Sequence, residues 1–345
     1  MRYPDFLKEN DRIGFIAPSF GAVIEPYASC FNEAEERFEG MGFTCIEGPN
    51  CRCGDGIGKS STPESCGAEI NDFFINDRSD VIISCGGGET MCEDLSFVDF
   101  EGIAKARPRW FMGYSDNTNL TLTLPTLCDT AAVYGPNASA FGQRPWHQSA
   151  GDALALLRGE KLTVSNYPLW ERDSLKSEDD PYVPYNCTEP FDMKLEGSAK
   201  NALSAEFSGR LLGGCLDCLQ LLCGTRFDKV REFEKRYEND GVIWFLEACD
   251  LNSVGVRRAL WALKEAGWFD TAKGFIFGRP YLKDDASFGL SQEQAVTGIL
   301  ESLGVPLLLS ADIGHLPPQM SLIAGAFAEV SAAPGSLVIH HILKK

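Results

Sequence analysis

The sequence predicts an α/β protein whose N-terminal part is a three-layer domain, a parallel sheet covered on both faces by helices. Three observations predict it. Short apolar runs alternate with amphipathic helical stretches over the first 150 or so residues. The runs Val81-Ile82-Ile83 and Trp110-Phe111-Met112-Gly113-Tyr114 are almost wholly apolar, as strands buried on both faces are. A second set of mixed strands and helices resumes after a polar stretch and ends in β character.

The elements follow in order. Arg12 to Ala17 reads as a strand ending in the loop Pro18-Ser19. Residues 27 to 39 read as a helix with Phe31, Ala34 and Phe38 on one stripe, and Phe43 to Ile46 as the next strand. Thr62-Pro63-Glu64 supplies a capping hydroxyl and a proline at the first helical position. Ile70, Phe73 and Phe74 are that helix's apolar stripe. The strand at 81 to 84 runs into Gly86-Gly87-Gly88, and Ala131 to Tyr134 is a further strand. Residues 160 to 200 are polar and proline-bearing and read as a long connection that covers a ligand site or simply links two domains. The division expected is 1–158, a connecting segment 159–205, and 206–345. In the last part, strands are expected at 209–214, 241–246, 274–278, 307–310, 325–331 and 337–343, with a helix at 253–266.

Composition bounds the function. There are 49 acidic and 31 basic side chains, a net charge of −18. That field repels phosphate backbones, so nucleic acid is not an expected partner. No run of about 18 apolar residues is present, so no membrane span is expected. The start, Met1-Arg2-Tyr3-Pro4-Asp5, lacks the apolar core of a signal peptide, and a cytoplasmic location is the expectation. Thirteen cysteines, an odd number in a chain this long, read as reduced and mostly buried thiols. Cys215 and Cys218 have C-x-x-C spacing, yet the stretch to Cys223 reads as a buried helix, and no metal is expected.

The chemistry is sought where a strand turns directly into a helix. Gly113-Tyr114-Ser115-Asp116-Asn117 places a serine on such a turn, at a helix N-terminus that favours a developing oxyanion. Asn117 stands where G-x-S-x-G has its second glycine, and a plain helix cap is the competing role for Ser115. A serine nucleophile needs a base, and the chain has four histidines. His340 and His341 lie in the last strand, one buried and one solvated, and His147 follows Arg144-Pro145-Trp146. His315 lies in Asp312-Ile313-Gly314-His315-Leu316-Pro317-Pro318, a loop stiffened by Gly and Pro directly after a buried strand. Glu247 ends the apolar strand Val242 to Leu246, where a carboxylate needs a partner; Asp250 is the alternative. The backbone N–H groups of Gly87 and Asp116 are the candidate oxyanion donors. Gly88, Glu89 and Trp170 are the candidate substrate-binding residues, the indole as a face for a base, although packing is the commoner role of such a ring.

Taken together, the sequence resembles the LD-carboxypeptidase family of serine peptidases, which includes the microcin-C immunity proteins. The resemblance rests on Ile16-Ala17-Pro18-Ser19, the glycines at 86 to 88, Gly113-Tyr114-Ser115-Asp116, Gly209-Arg210-Leu211-Leu212-Gly213-Gly214, Gly224-Thr225, Leu246-Glu247 and Gly314-His315-x-x-Pro318. It implies a C-terminal, mixed and β-barrel-like domain with helices that carries Glu247 and His315, a site at the domain junction, and a homodimer. It also implies acyl transfer without metal or cofactor, on a small peptide or an aminoacyl-nucleotide. Murein-recycling members carry Arg-Gly-Gly-Tyr-Gly where this chain has Cys85-Gly86-Gly87-Gly88-Glu89, which removes a partner for a substrate carboxylate. Leu322-Ile323-Ala324-Gly325 stands in place of their Leu-Pro-x-Gly. Two rivals remain: a non-catalytic peptide-binding protein on this fold, and a hydrolase using Cys85 or Cys92.

Overall fold

The computed structural model describes residues 1–56 and 58–344. The strands are β1 (Arg12–Ile16), β2 (Thr44–Glu47), β3 (Val81–Ser84), β4 (Trp110–Gly113), β5 (Ala132–Tyr134), β6 (Thr163–Ser165), β7 (Leu169–Glu171) and β8 (Cys187–Pro190). They continue as β9 (Lys194–Gly197), β10 (Ala205–Cys215), β11 (Val242–Glu247), β12 (Ala272–Gly278), β13 (Pro306–Ala311), β14 (Leu322–Ala324), β15 (Phe327–Ala333) and β16 (Ser336–Ile342). The helices are α1 (Tyr27–Gly40), α2 (Pro63–Ile75), α3 (Phe100–Lys105), α4 (Thr118–Cys128), α5 (Gln148–Leu157), α6 (Leu216–Leu222), α7 (Val230–Arg236), α8 (Ser253–Glu265) and α9 (Gln292–Leu300).

The first sheet has the order β14-β5-β4-β3-β1-β2, and β1 to β5 run parallel. Alternation along each strand sends neighbours to opposite faces. Phe15, Ile83, Met112 and Val133 pack with Phe31 and Phe38 of α1 and Leu154 of α5. Their neighbours Ile16, Ile82, Phe111 and Ala132 pack with Ile70 and Phe73 of α2 and Leu120 of α4. These are the three layers the continuous apolar runs predict. The Thr62 hydroxyl caps α2 through Ser65 N–H at 3.3 Å, with Pro63 next to it. At the far edge β14 pairs antiparallel with β5, so a strand from the end of the chain completes the N-terminal sheet.

The second sheet is mixed, with order β6-β16-β15-β10-β11-β12-β13-β9. Its parallel centre is β10 to β13; the flanking pairs are antiparallel. It is an open sheet with β6 and β9 at its edges, not a closed ring. One face buries Trp244, Leu246 and Phe275 against Val256, Leu260 and Leu263 of α8. The other sends Ile243, Phe245, Ile276 and Leu308 into the core that also holds Phe15 and Val133. The two sheets therefore share one apolar core. The polar stretch around 160 to 200 is not structureless: β6 and β9 form both edges of this sheet, and β7 pairs with β8.

Gly213 of β10 has φ +150°, and a Cβ there would run into the Phe245 carbonyl of β11. Only glycine allows the two strands this approach, directly under the strand end that carries Glu247. Gly213→Ala is expected to cost roughly 2–4 kcal/mol, read as a lower midpoint in urea unfolding.

Candidate active site

Ser115 follows β4 and opens a single 3-10 turn, Ser115–Asn117, that leads into α4. Its φ is +65°, a left-handed conformation that a residue with a side chain holds only when its surroundings enforce it. The enforcing contacts are explicit. Asn117 Nδ2 donates to Gly86 O at 2.9 Å and Tyr114 O at 3.1 Å, and Asn137 Oδ1 accepts from Tyr114 N–H at 3.2 Å. A Cβ on Gly113 would come within 2.9 Å of the Asn117 side chain. Asn117, at the place of the second glycine in G-x-S-x-G, thus braces the turn. Ser115 is no helix cap, since its hydroxyl faces His315, with Oγ to Nε2 2.8 Å.

His315 stands on the loop between β13 and β14. Asp312 pins the start of that loop. Its carboxylate is buried, ion-paired with the buried Arg279 and hydrogen-bonded by Tyr167 N–H at 2.7 Å. Its carbonyl accepts from Met320 N–H at 2.7 Å, which closes the loop on itself. Gly314 has φ +102°, and a Cβ there would meet the Glu247 carboxylate. The bare backbone lets His315 Nδ1 reach Glu247 Oε2 at 2.9 Å.

Glu247, the last residue of β11, is fully buried. Burial alone would raise its pKa. The charge and hydrogen bond of His315, with the Tyr134 hydroxyl, outweigh burial and hold the carboxyl below its usual range. For His315, burial opposes the proton, but Glu247 and the neighbouring Cys249 overcome it and hold the ring well above the usual imidazole range. The three side chains lie at the carboxyl ends of β4, β11 and β13, where open α/β sheets place their sites. Oγ, imidazole and carboxylate form one hydrogen-bonded line, which is the geometry of an activated serine.

Gly87 closes over the serine: a Cβ there would lie 3.1 Å from Ser115 Cβ and 3.2 Å from Oγ. Gly87→Ala is expected to slow acylation of Ser115 about 10- to 100-fold, measured by stopped-flow burst amplitude and rate, with the unfolding midpoint little changed. Gly88 is a packing glycine, since a Cβ would strike Ser19 Oγ and Gly58 O. Glu89 is exposed at its surface, and partial desolvation of its carboxyl, then the nearby Asp250, Asp116 and Asp217, raise its pKa. The Asp116 side chain is buried beneath the turn, accepting from Ser19 Oγ at 2.5 Å and Met91 N–H at 3.0 Å. For Trp170 the packing role holds and the substrate-binding one, a stacking face, does not. It is 2% exposed, donates Nε1–H to Pro190 O at 3.0 Å, and lies under Arg279 and Lys283.

The remaining histidines are otherwise engaged. His147 caps α5, with Nδ1 accepting from Ser149 N–H at 3.1 Å. His341 is buried, accepts from Ile323 N–H at 3.2 Å and is pushed down to about 4 by that burial. His340 is exposed beside Thr163. All thirteen cysteines are free thiols; burial pushes the Cys85 and Cys92 thiols up, against their use as nucleophiles. Among the described residues, no group of three or more His, Cys, Asp or Glu side chains is placed to hold a metal ion, and no helix is long and apolar enough to cross a membrane.

Sequence reasoning missed Tyr134. Its buried hydroxyl lies 2.6 Å from Glu247 Oε1 and 3.3 Å from Ser115 N. The signal available was a tyrosine at a strand end, next to the strand that leads to Ser115; its partner lies 113 residues away.

Comparison with known proteins agrees with this architecture. Residues 13–135 match the LD-carboxypeptidase N-terminal domain and residues 208–330 the LD-carboxypeptidase C-terminal domain. The chain is 25% identical over 325 residues to the microcin C7 self-immunity protein MccF of Escherichia coli, covering 92% of this chain and 90% of that protein. It is 24% identical over 340 residues to the probable murein peptide carboxypeptidase of Bacillus subtilis, covering 97% and 93%. The crystal structure of an MccF-like protein from Bacillus anthracis shares the fold with a TM-score of 0.82 at 22% identity, covering 99% of this chain and 100% of that one. MccF in complex with aspartyl sulfamoyl adenosine superposes with a TM-score of 0.81 at 22% identity, covering 99% of both. Two family domains, in order and spanning most of the sequence, place this chain in the LD-carboxypeptidase family.

Proposed function

We propose that the protein is a serine hydrolase of the LD-carboxypeptidase type that removes a terminal D-amino acid from LD-linked murein peptides. The observation that carries it is the line Ser115 Oγ, His315, Glu247, with contacts of 2.8 and 2.9 Å. His315 Nε2 takes the Ser115 proton as Oγ attacks the scissile carbonyl carbon. The tetrahedral oxyanion is held by N–H groups of Gly87 and Asp116. His315 then passes the proton to the leaving amine, and an acyl ester remains on Ser115. Water, deprotonated by the same imidazole, attacks the ester and restores the enzyme. Glu247 holds the ring in the tautomer that accepts at Nε2. Every step is served by groups of this chain.

A second substrate reading, hydrolysis of aminoacyl-nucleotide conjugates, is favoured by one observation. Glu89 is exposed two residues after Gly87, which packs against Ser115, and a carboxylate there suits an amino group better than a free carboxylate. The similarity to MccF, a structure of which contains aspartyl sulfamoyl adenosine, agrees with it. A cytoplasmic homodimer completes the proposal, and light scattering on the eluted protein checks the dimer.

Product mass spectrometry on an LD-linked murein tetrapeptide and an aminoacyl-sulfamoyl adenosine, side by side, tests the substrate. Loss of terminal D-alanine that disappears in Ser115→Ala protein supports the first reading. Cleavage of the nucleotide conjugate alone moves the protein to the second. Cleavage of neither removes both.

A further inference from the structure

Tyr134 touches the machinery at two points, the Glu247 carboxylate and the Ser115 backbone. It ends β5, level with Gly113 of β4 on one side and Leu322 of β14 on the other. β4 leads to Ser115, and the His315 loop leads into β14. From this seam the phenol reaches Glu247 Oε1 on β11 at 2.6 Å. One residue thus contacts, or lies in register with, the elements bearing all three proposed catalytic groups. Its ring meets Tyr114 edge-on, and Tyr114 also lies against the His315 imidazole; Phe245 packs on it at a tilt.

A phenol has one proton to give. Burial and the carboxylate beside it keep that proton on Tyr134, and the short contact to the ionised Glu247 is where it points. The hydroxyl oxygen must then accept from Ser115 N–H at 3.3 Å. Two consequences follow. The donated hydrogen bond draws charge from Glu247 and moderates its hold on the His315 proton. The accepted one occupies the amide of the strained serine, which fixes the turn and withdraws that N–H from any oxyanion hole.

On the hydrolase reading above, we infer that Tyr134 is a positioning residue: its hydroxyl sets the basicity of the Glu247–His315 pair and holds the Ser115 backbone in its left-handed conformation. It touches no substrate and acts through the groups that do.

The experiment needs no identified substrate. The second-order rate of Ser115 labelling by a fluorophosphonate is measured from pH 5 to 10 for wild type, Tyr134→Phe and protein with a ring-fluorinated tyrosine at 134. In Tyr134→Phe the plateau rate should fall about tenfold and the acid limb should move up in pH, by about half a unit, because Glu247 regains the charge the phenol withdrew. The fluorinated phenol, a stronger donor of nearly the same shape, should move the limb down. A role in packing alone moves neither limb. Limbs that superimpose on wild type, or shifts of the opposite sign, overturn the inference while wild-type labelling leaves the hydrolase reading standing. Should Tyr134→Phe fail to fold, the fluorinated protein decides the sign by itself. A wild type that labels at no pH overturns the hydrolase reading and this inference with it.

Discussion

Ser115→Ala and His315→Ala should each lower kcat/KM by at least ~10⁴-fold, and the double variant should be no worse than the poorer single one. The reason is mechanical unity. Oγ is a weak nucleophile at neutral pH, and its only basic neighbour in the line is His315 Nε2 at 2.8 Å. Removing either partner leaves the other without a role, so the losses do not add. Residual rate would come from the oxyanion donors and from substrate positioning, neither of which passes through the imidazole. Steady-state kinetics on the substrate found by mass spectrometry measures this. Losses that multiply in the double variant would show two independent catalytic groups instead of one unit. Ser115→Ala should also relieve little backbone strain, since alanine at φ +65° is no more at ease than serine.

Glu247→Gln should lower kcat/KM by ~10³–10⁴-fold and move the acid limb of the pH profile downward. The sign follows from the pair. The ionised, buried Glu247 stabilises a proton on His315 and holds the ring well above the usual imidazole range. His315 accepts the serine proton only when neutral, so wild-type activity rises as pH passes that raised value. Glutamine has the same shape and no charge. Burial, now unopposed by the carboxylate, lets the ring lose its proton at lower pH, and the limb moves with it. The rate nevertheless falls, because the imidazolium formed in the transition state has lost its partner and an amide no longer fixes the tautomer. A limb that stays in place in Glu247→Gln would mean that another group, Cys249 being nearest in effect, sets the His315 titration.

Local chemistry made much of this legible in advance. The parallel core strands β1, β3 and β4 are nearly pure apolar runs, and the Thr62-Pro63 start of α2 is a local capping signal. The Ser115 turn was visible because a strand meets a helix with glycine two residues earlier. Glu247 was visible as a carboxylate closing an apolar strand, and His315 as a ring on a loop stiffened by Gly314, Pro317 and Pro318. What escaped depends on distant pairing. Leu322–Ala324 is three residues long and carries no period of its own; only its register against Ala132–Tyr134 makes it a strand. β6 and β9 lie in a polar stretch because each is an edge of the sheet, with solvent on one side. Trp170 reads from sequence either as a stacking face or, more commonly, as a packing ring, and only the fold decides for packing by bringing Arg279 and Lys283 over it. Tyr134 reads as one more buried aromatic until β11 places a carboxylate 2.6 Å from its hydroxyl.

Intact-protein mass spectrometry after exposure to a fluorophosphonate shows whether Ser115 is an activated nucleophile. One adduct is expected on the wild-type chain, mapped to Ser115 by peptide sequencing, and none on Ser115→Ala or His315→Ala protein at the same dose. An unmodified wild type, or an adduct that persists in Ser115→Ala protein, would contradict that role.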